Sequence, residues 1–146
     1  MFKHILLATD GSPASEHAAA LAIALACKQE ARLTAVYVVD PYPYLGLGVA
    51  NPYGFEAYMQ EAQAHAREAH ASVEALCQQM TPPLAVKTLM VEDAAVVKGI
   101  VQAAKDEAAD LIVIGSHGRS GLARLVLGGV ASKVVAESPV PVLVTR

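Results

Sequence analysis

The 146-residue sequence predicts an α/β domain built on a mostly parallel sheet with helices on both faces. Three observations predict it. Short apolar, β-branched runs alternate along the whole chain with longer alanine-rich segments of helical period, the pattern of successive βαβ units. Several of those runs are apolar at every position, as strands covered on both faces require. Finally, 54% hydrophobic against 17% charged residues supplies a core for one domain, residues 1–146, without disulfides or metal. No internal repeat, low-complexity tail or linker divides it.

Taken in order, Ile5-Leu-Leu-Ala8 reads as the first strand, stopped by the turn cluster Thr9-Asp-Gly-Ser-Pro13. A helix is expected from Ser15 to about Glu30, with Ala18, Leu21, Leu25 and Lys28 at helical spacing. Leu33–Val39 is β-branched and aromatic enough for the second strand. Asp40–Gly54, rich in Pro, Tyr and Gly, reads as a long loop; loops of that length tend to be functional. The longest helix follows from Phe55 to about Met80. Tyr58, Ala62, His65, Ala69, Val73, Leu76 and Met80 recur at steps of three and four and mark its buried stripe. Thr81-Pro-Pro83 ends it. Ala85–Val91 is the third strand, and Ala94–Glu107 a helix with Val97, Ile100, Val101 and Ala104 inward. Leu111–Ile114 is the fourth strand, Val130–Ala136 a helix, and Pro141–Thr145 the last strand.

Composition removes several functions. A net charge of −3 with 5% aromatic residues gives no general footprint for nucleic acid. No apolar stretch approaches the ~20 residues that span a bilayer, and Phe2-Lys3-His4 enters a strand rather than a signal-peptide pattern. Cys27 and Cys77 form no C-x-x-C and read as structural thiols inside helices. These features fit a soluble protein of a reducing, cytoplasmic compartment.

Gly115-Ser-His-Gly118-Arg-Ser-Gly121, continuing to Gly128-Gly129, is the stretch that carries most chemistry. It joins a buried strand to a helix, so its backbone N–H groups meet a positive helix end, which suits phosphate. Arg119, Arg124 and Lys133 add positive charge. In open parallel sheets ligands bind beyond the carboxyl ends of the strands, where strand order reverses. The loops Thr9–Pro13 and Gly115–Gly128 are therefore the expected walls of one crevice. Asp10 is open to two readings there: a turn former bonding its own backbone, or an acceptor for a ribose hydroxyl or base edge.

Other motifs fail on spacing. No Gly-x-x-x-x-Gly-Lys-Ser/Thr occurs, and Gly46-Leu-Gly48 lacks the third glycine of a dinucleotide fingerprint. Gly118-Arg-Ser-Gly121 is not a Gly-x-Ser-x-Gly elbow. His65 and His70, five apart on a helix, point to different faces and make poor shared metal ligands. Ser116 and His117 are adjacent, a placement that rarely gives a facing nucleophile–base pair, so His117 is assigned packing or hydrogen bonding.

Taken together, Ile5–Ser12, Leu111-Ile-Val-Ile-Gly-Ser-His-Gly118 and Pro139-Val-Pro-Val-Leu-Val144 resemble the universal stress protein family over essentially the full chain. Gly115, Gly118 and Gly128 are in register with that family's nucleotide signature Gly-x2-Gly-x9-Gly-(Ser/Thr). The resemblance implies an adenine nucleotide alpha hydrolase-like fold, an open five-stranded parallel sheet in order 3-2-1-4-5. It implies a homodimer whose C-terminal strands meet, and a crevice for ATP, with or without Mg, or a related adenine nucleotide. By it, Ala8, Thr9 and Asp10 contact adenosine, Val38 backs the base, and Gly115, Gly118, Arg119, Gly128, Gly129 and Val130 surround ribose and phosphates. It further implies a stress-response role that is regulatory rather than fast catalysis, with at most slow ATP hydrolysis or autophosphorylation. A nucleotide-independent dimeric interaction module of the same fold is the alternative.

Two positions depart from the pattern. Residue 129 is Gly where the family has Ser or Thr, which removes a hydroxyl that would donate to phosphate; Ser132, three residues on, is the expected partial substitute. In Val91-Glu-Asp-Ala94, relatives often have a Gly and Pro turn, and Glu92 and Asp93 are expected as helix N-terminal charges.

Overall fold

The computed structural model describes residues 1–41, 52–117 and 127–146. Its elements in chain order are β1 (His4–Ala8), α1 (Pro13–Gln29), β2 (Arg32–Val38), α2 (Pro52–Gln78), β3 (Val86–Val91), α3 (Val96–Asp106), β4 (Leu111–Gly115), α4 (Gly129–Glu137) and β5 (Val142–Thr145). The five strands form one parallel sheet in the order β3-β2-β1-β4-β5, as the resemblance implied. β1 and β4 are the central pair, with Ile5, Leu6 and Leu7 beside Leu111, Ile112 and Val113.

Alternation along the central strands builds two cores. Ile5, Leu7, Leu33, Ala35, Leu111 and Val113 face α1 and α2, meeting Ala18, Ala22, Ile23, Ala26, Val73 and Cys77. Leu6, Ala8, Val36, Ile112 and Ile114 face the opposite way onto Ile100, Ala103, Ala104, Ala131 and Val134 of α3 and α4. Every residue of β1 is buried, which accounts for its unbroken apolar run.

α1 begins two residues before the expected Ser15. Ser12 caps it, its hydroxyl accepting from the Ser15 amide at 3.3 Å. Pro13 takes the first turn, where its missing N–H costs nothing. The buried face is Ser15, Ala18, Ala19, Ala22, Ile23 and Ala26, whereas Leu21, one of the positions picked out by helical spacing, is exposed. Small side chains let the helix lie close on the sheet, and Leu21 is left on the outside.

α2 starts at Pro52, inside the segment read as loop; residues 42–51, with Gly46 and Gly48, lie outside the described residues. Its fully buried positions are Ala66, Ala69, Val73 and Cys77. Ala69 and Val73 were expected in the stripe; Tyr58, Ala62, His65, Leu76 and Met80 of it are half-buried, and Ala66 and Cys77, each one residue beyond an expected position, are buried instead. α3 starts at Val96 rather than Ala94. Asp93 has φ 61° and the first turn contains no acid. Glu92 and Asp93 thus precede the helix instead of charging its end; Glu92 accepts from the Gln63 side chain at 3.1 Å.

Below the site, Asp110 accepts from the Lys3 and His4 amides at 2.8 and 3.1 Å, tying β1 to the chain entering β4. Cys27 and Cys77 are free. Burial pushes the Cys77 thiol up to about 11, away from the reactive thiolate range.

Candidate nucleotide crevice

A cavity of about 730 Å³ opens beyond the carboxyl ends of β1, β2 and β4, where the order of strands reverses. β1 supplies Ala8, Thr9 and Asp10; β2 and its continuation supply Val36–Asp40; β4 supplies Ile114–His117. The start of α4, Gly128–Ala131, closes one end, and Tyr58, Glu61, Ala62 and His65 of α2 close the other. Val96 and Ile100 of α3 complete the floor.

Local bonds fix the walls. The Thr9 amide donates to the Val36 carbonyl at 3.0 Å, carrying the β1–β2 ladder to the rim. Asp10 accepts from the Ser12 amide at 2.9 Å and Gly11 follows at φ 78°, so the turn-forming reading of Asp10 is realised. Asp10 also lines the cavity, so the same carboxylate stands at the mouth. On the opposite wall the Ser116 amide donates to the Thr145 carbonyl at 2.7 Å, and the Gly128 amide to the Ser116 carbonyl at 2.8 Å. A Cβ at Gly128 would lie 2.6 Å from that same carbonyl oxygen, so only glycine lets α4 begin this close to the end of β4. At Gly115 a Cβ would meet the Ala14 backbone at 3.0 Å, whereas at Gly129 it would meet nothing within 4 Å.

Of the ten residues expected at the site, Ala8, Thr9, Asp10, Val38, Gly115, Gly128, Gly129 and Val130 line this one cavity. Gly118 and Arg119 lie outside the described residues, as does Arg124. Sequence reasoning missed the α2 wall. The stripe that included Tyr58, Ala62 and His65 was its one signal, since those residues run on past the buried core toward the rim. Tyr58 donates its hydroxyl to the Asp40 carbonyl at 2.7 Å, fastening α2 to the end of β2. Burial, then the Asp40 charge, raises the Tyr58 pKa above the usual phenol value. Also missed was Gly99 of α3. A Cβ there would stand 2.8 and 2.9 Å from the two methyls of Val38, so the glycine makes room for the side chain expected behind a base.

Ser116 and His117 depart from expectation. The Ser116 hydroxyl and His117 Nδ1 are 3.0 Å apart, so the neighbours do face each other. Among the described residues His117 Nε2 has no hydrogen-bond partner, and no third group orients the ring as a hydrolytic triad needs. Ser132 also differs: its hydroxyl donates to the Gly129 carbonyl at 3.2 Å and does not line the cavity. It leaves the place of the missing hydroxyl unfilled. Among the described residues no three His, Cys, Asp or Glu gather to hold a metal, and no helix is long and apolar enough to cross a membrane.

The chain matches the family model described as the universal stress protein family over residues 1–146. A universal stress protein of Thermus aquaticus, named for its position in the QAH/OAS sulfhydrylase 3' region, is 40% identical over 152 residues, covering all of both chains. The chain belongs to the universal stress protein family. Among solved structures, the universal stress protein UspA of Lactobacillus plantarum superposes with a TM-score of 0.82 at 28% identity, over 99% of this chain and 97% of that one. Two more distant universal stress proteins share the fold and were solved with nucleotides. One is in complex with cAMP (TM-score 0.69, 24% identity, 99% and 97% covered). The other, from Archaeoglobus fulgidus, is in complex with dAMP (TM-score 0.70, 18% identity, 100% and 98% covered).

As chemistry, the crevice offers an apolar floor (Val38, Ile100, Ile114), hydroxyl and carboxylate acceptors at the rim (Thr9, Asp10), and the first amides of α4, at Gly129 and Val130, which have no partner within the helix itself. Such a universal stress protein site suits a ligand with a flat apolar part, hydroxyls and an anion.

Proposed function

We propose that this protein binds an adenine nucleotide, ATP or a relative of it, between β1 and β4, and that binding serves stress regulation in the cytoplasm rather than fast turnover. The observation that carries this is the gathering of Ala8, Thr9, Asp10, Val38, Gly115, Gly128, Gly129 and Val130 around one cavity, from four elements distant in sequence. The base lies on Val38, the ribose hydroxyls reach Asp10, and phosphate takes the amides at the start of α4. The complexes of fold relatives with cAMP and dAMP support an adenine ligand. With no complete acid–base set among the described residues, catalysis is at most slow ATP hydrolysis or autophosphorylation.

The test is to denature the purified protein and analyse the supernatant for nucleotide, alongside thermal melts with adenosine, AMP and Mg-ATP. Released nucleotide, or a melt raised by millimolar ligand, is the expected result. An empty supernatant with unmoved melts rejects the reading.

A second reading, a dimeric interaction module that works without nucleotide, is favoured by the sheet edge. β5 is the terminal strand, its Val142, Leu143 and Val144 only half-buried, and Val135 of the neighbouring α4 is exposed. Pairing of two β5 strands would cover this edge. Sedimentation of the protein separates the cases, since a monomer at micromolar concentration removes this reading.

A further inference from the structure

Both cysteines lie at the end of the molecule away from the crevice, and the fold brings them to one place. α1 links β1 to β2 and α2 links β2 to β3, so in an all-parallel sheet the two helices run the same way. They cover one face of the sheet together, over Ile5, Leu7, Leu33 and Ala35, and their Cα atoms approach within 8 Å. Cys27 is two residues from the end of α1 and Cys77 one residue from the end of α2, so they stand at nearly one level. Cys77 is fully buried in the apolar cluster between helices and sheet; Cys27 packs half-buried against the same cluster. Burial raises the Cys77 thiol and charge on Cys27 raises it further, which places the two sulfurs within electrostatic reach. A disulfide spans Cα atoms about 4.4–6.8 Å apart, and the last turn of a helix is where backbone gives most easily.

We propose that Cys27 and Cys77 form an intrachain disulfide when the protein meets a hydroperoxide, and that this bond locks α1 to α2. Cys27 is partly open to solvent and reacts first; Cys77, buried, resolves. With hydrogen peroxide, the Cys27 thiolate attacks one oxygen and the O–O bond breaks. Cys27 becomes a sulfenic acid, and the departing hydroxide takes the proton the Cys27 thiol had lost, leaving as water. The Cys77 sulfur then attacks the Cys27 sulfur. The S–O bond breaks, and the hydroxyl leaves with the Cys77 proton as a second water. The two sulfurs together give up two electrons, and one peroxide becomes two waters. In a reducing compartment such a bond is transient, as a redox-sensing one is. Neither cysteine lines the crevice, so the inference is independent of the nucleotide reading.

The test treats the reduced full chain with rising amounts of hydrogen peroxide. Free thiols are counted after denaturation, peptides are mapped without reduction, and melts are recorded. Both thiols should disappear together, with a peptide joining Cys27 to Cys77 in a chain that runs as a monomer on a non-reducing gel. The melting temperature should rise by roughly 4–15 °C, and dithiothreitol should reverse every change. Cys77→Ala should halt the reaction at a Cys27 sulfenic acid that dimedone labels, whereas Cys27→Ala should leave the Cys77 thiol intact at the same dose. Should Cys77→Ala fail to fold, the peptide map of the unsubstituted protein decides by itself. Thiols that persist, Cys27 oxidised to sulfinic acid beside a free Cys77, or a bond between two chains each overturn the proposal.

Discussion

Three glycines of this site have three different physical jobs, and their substitutions should separate accordingly. Gly128 is held by contact: a methyl group there meets backbone, the Ser116 carbonyl at 2.6 Å, and backbone cannot rotate away. Gly128→Ala should therefore cost about 1–3 kcal/mol of stability and abolish ligand-induced stabilisation, measured as Cm in urea and as a melt shift. Gly129→Ser, in open space, should stay within about 0.5 kcal/mol of the parent; a loss as large as that of Gly128→Ala would show that α4 begins differently. Gly99 is intermediate, because its obstacle is a side chain. Gly99→Ala drives the Val38 methyls toward the crevice, an overpacking cost of about 1–3 kcal/mol set against about 1 kcal/mol of helix propensity regained. The double variant with Val38→Ala should recover part of that loss. Simple additivity of the two single variants would rule out the contact, since touching residues couple.

At the scale of elements, the strands were legible and so was the inward face of α3, with Ile100, Val101 and Ala104 buried and Val97 packed against the same core, but the face of α1 was not. A strand buried on both sides announces itself as an apolar run, and Ile5–Ala8 and Leu111–Ile114 did so. α1 is different: Ala18, Ala19, Ala22 and Ala26 carry the contact, while alanine also fills the outward positions, so the pattern has little contrast. Leu21 drew the eye and lies outside. α2 began within a Pro- and Tyr-rich loop because Pro at the first helical position starts helices as readily as proline elsewhere stops them. The candidate site divides in the same way. Its glycine loop and Asp10 belong to local, short-range patterns that a sequence displays. The α2 wall and the Gly99–Val38 contact exist only once α2 and α3 pack against β2, and no local pattern encodes that. The cap of α1, Ser12, was read only as part of the turn cluster that ends β1, and the helix as starting at Ser15. Ser12→Ala removes the acceptor for the Ser15 amide and should cost about 1 kcal/mol, read as a lowered midpoint in urea with unchanged slope. Ligand binding should be little changed, since the bond that Asp10 accepts comes from the residue 12 backbone amide, which the variant keeps. A variant as stable as the parent would mean that water serves this helix end equally well.

For the whole molecule, strand order was available only through the family resemblance, because hydrophobic periodicity says which segments are strands and not which strands are neighbours. The folded order has an electrostatic consequence at the end of the sheet away from the crevice. His4, 3% exposed, lies at the start of β1 with Nε2 2.8 Å from the Thr34 hydroxyl. Burial, aided by Arg32, lowers its pKa below the usual histidine value, against the pull of Glu107 and Asp110. His70, edge-on to Tyr37, is lowered by burial as well, against Glu74 and the Leu89 backbone. For both rings the folded state prefers the neutral form, and the unfolded chain binds the proton more readily. Their contribution to stability is therefore complete above about pH 6.5, the unfolded histidine value. It is lost as pH falls from there through the lower folded values. Asp110 acts in a separate, more acidic window. Burial would raise its pKa, but the Lys3 and His4 amides outweigh that and hold the carboxyl below its usual value. Its contribution is lost as pH falls through the carboxylate range near 4. Calorimetric melts from pH 8 to pH 3 should accordingly show a plateau, a decline beginning near 6.5, and a further decline near 4. His4→Gln, which keeps a hydrogen-bonding group beside Thr34 but cannot titrate, should flatten the first decline and leave the second in place. A midpoint constant from pH 7.5 to 5 would mean that these rings take up protons in the fold as readily as out of it.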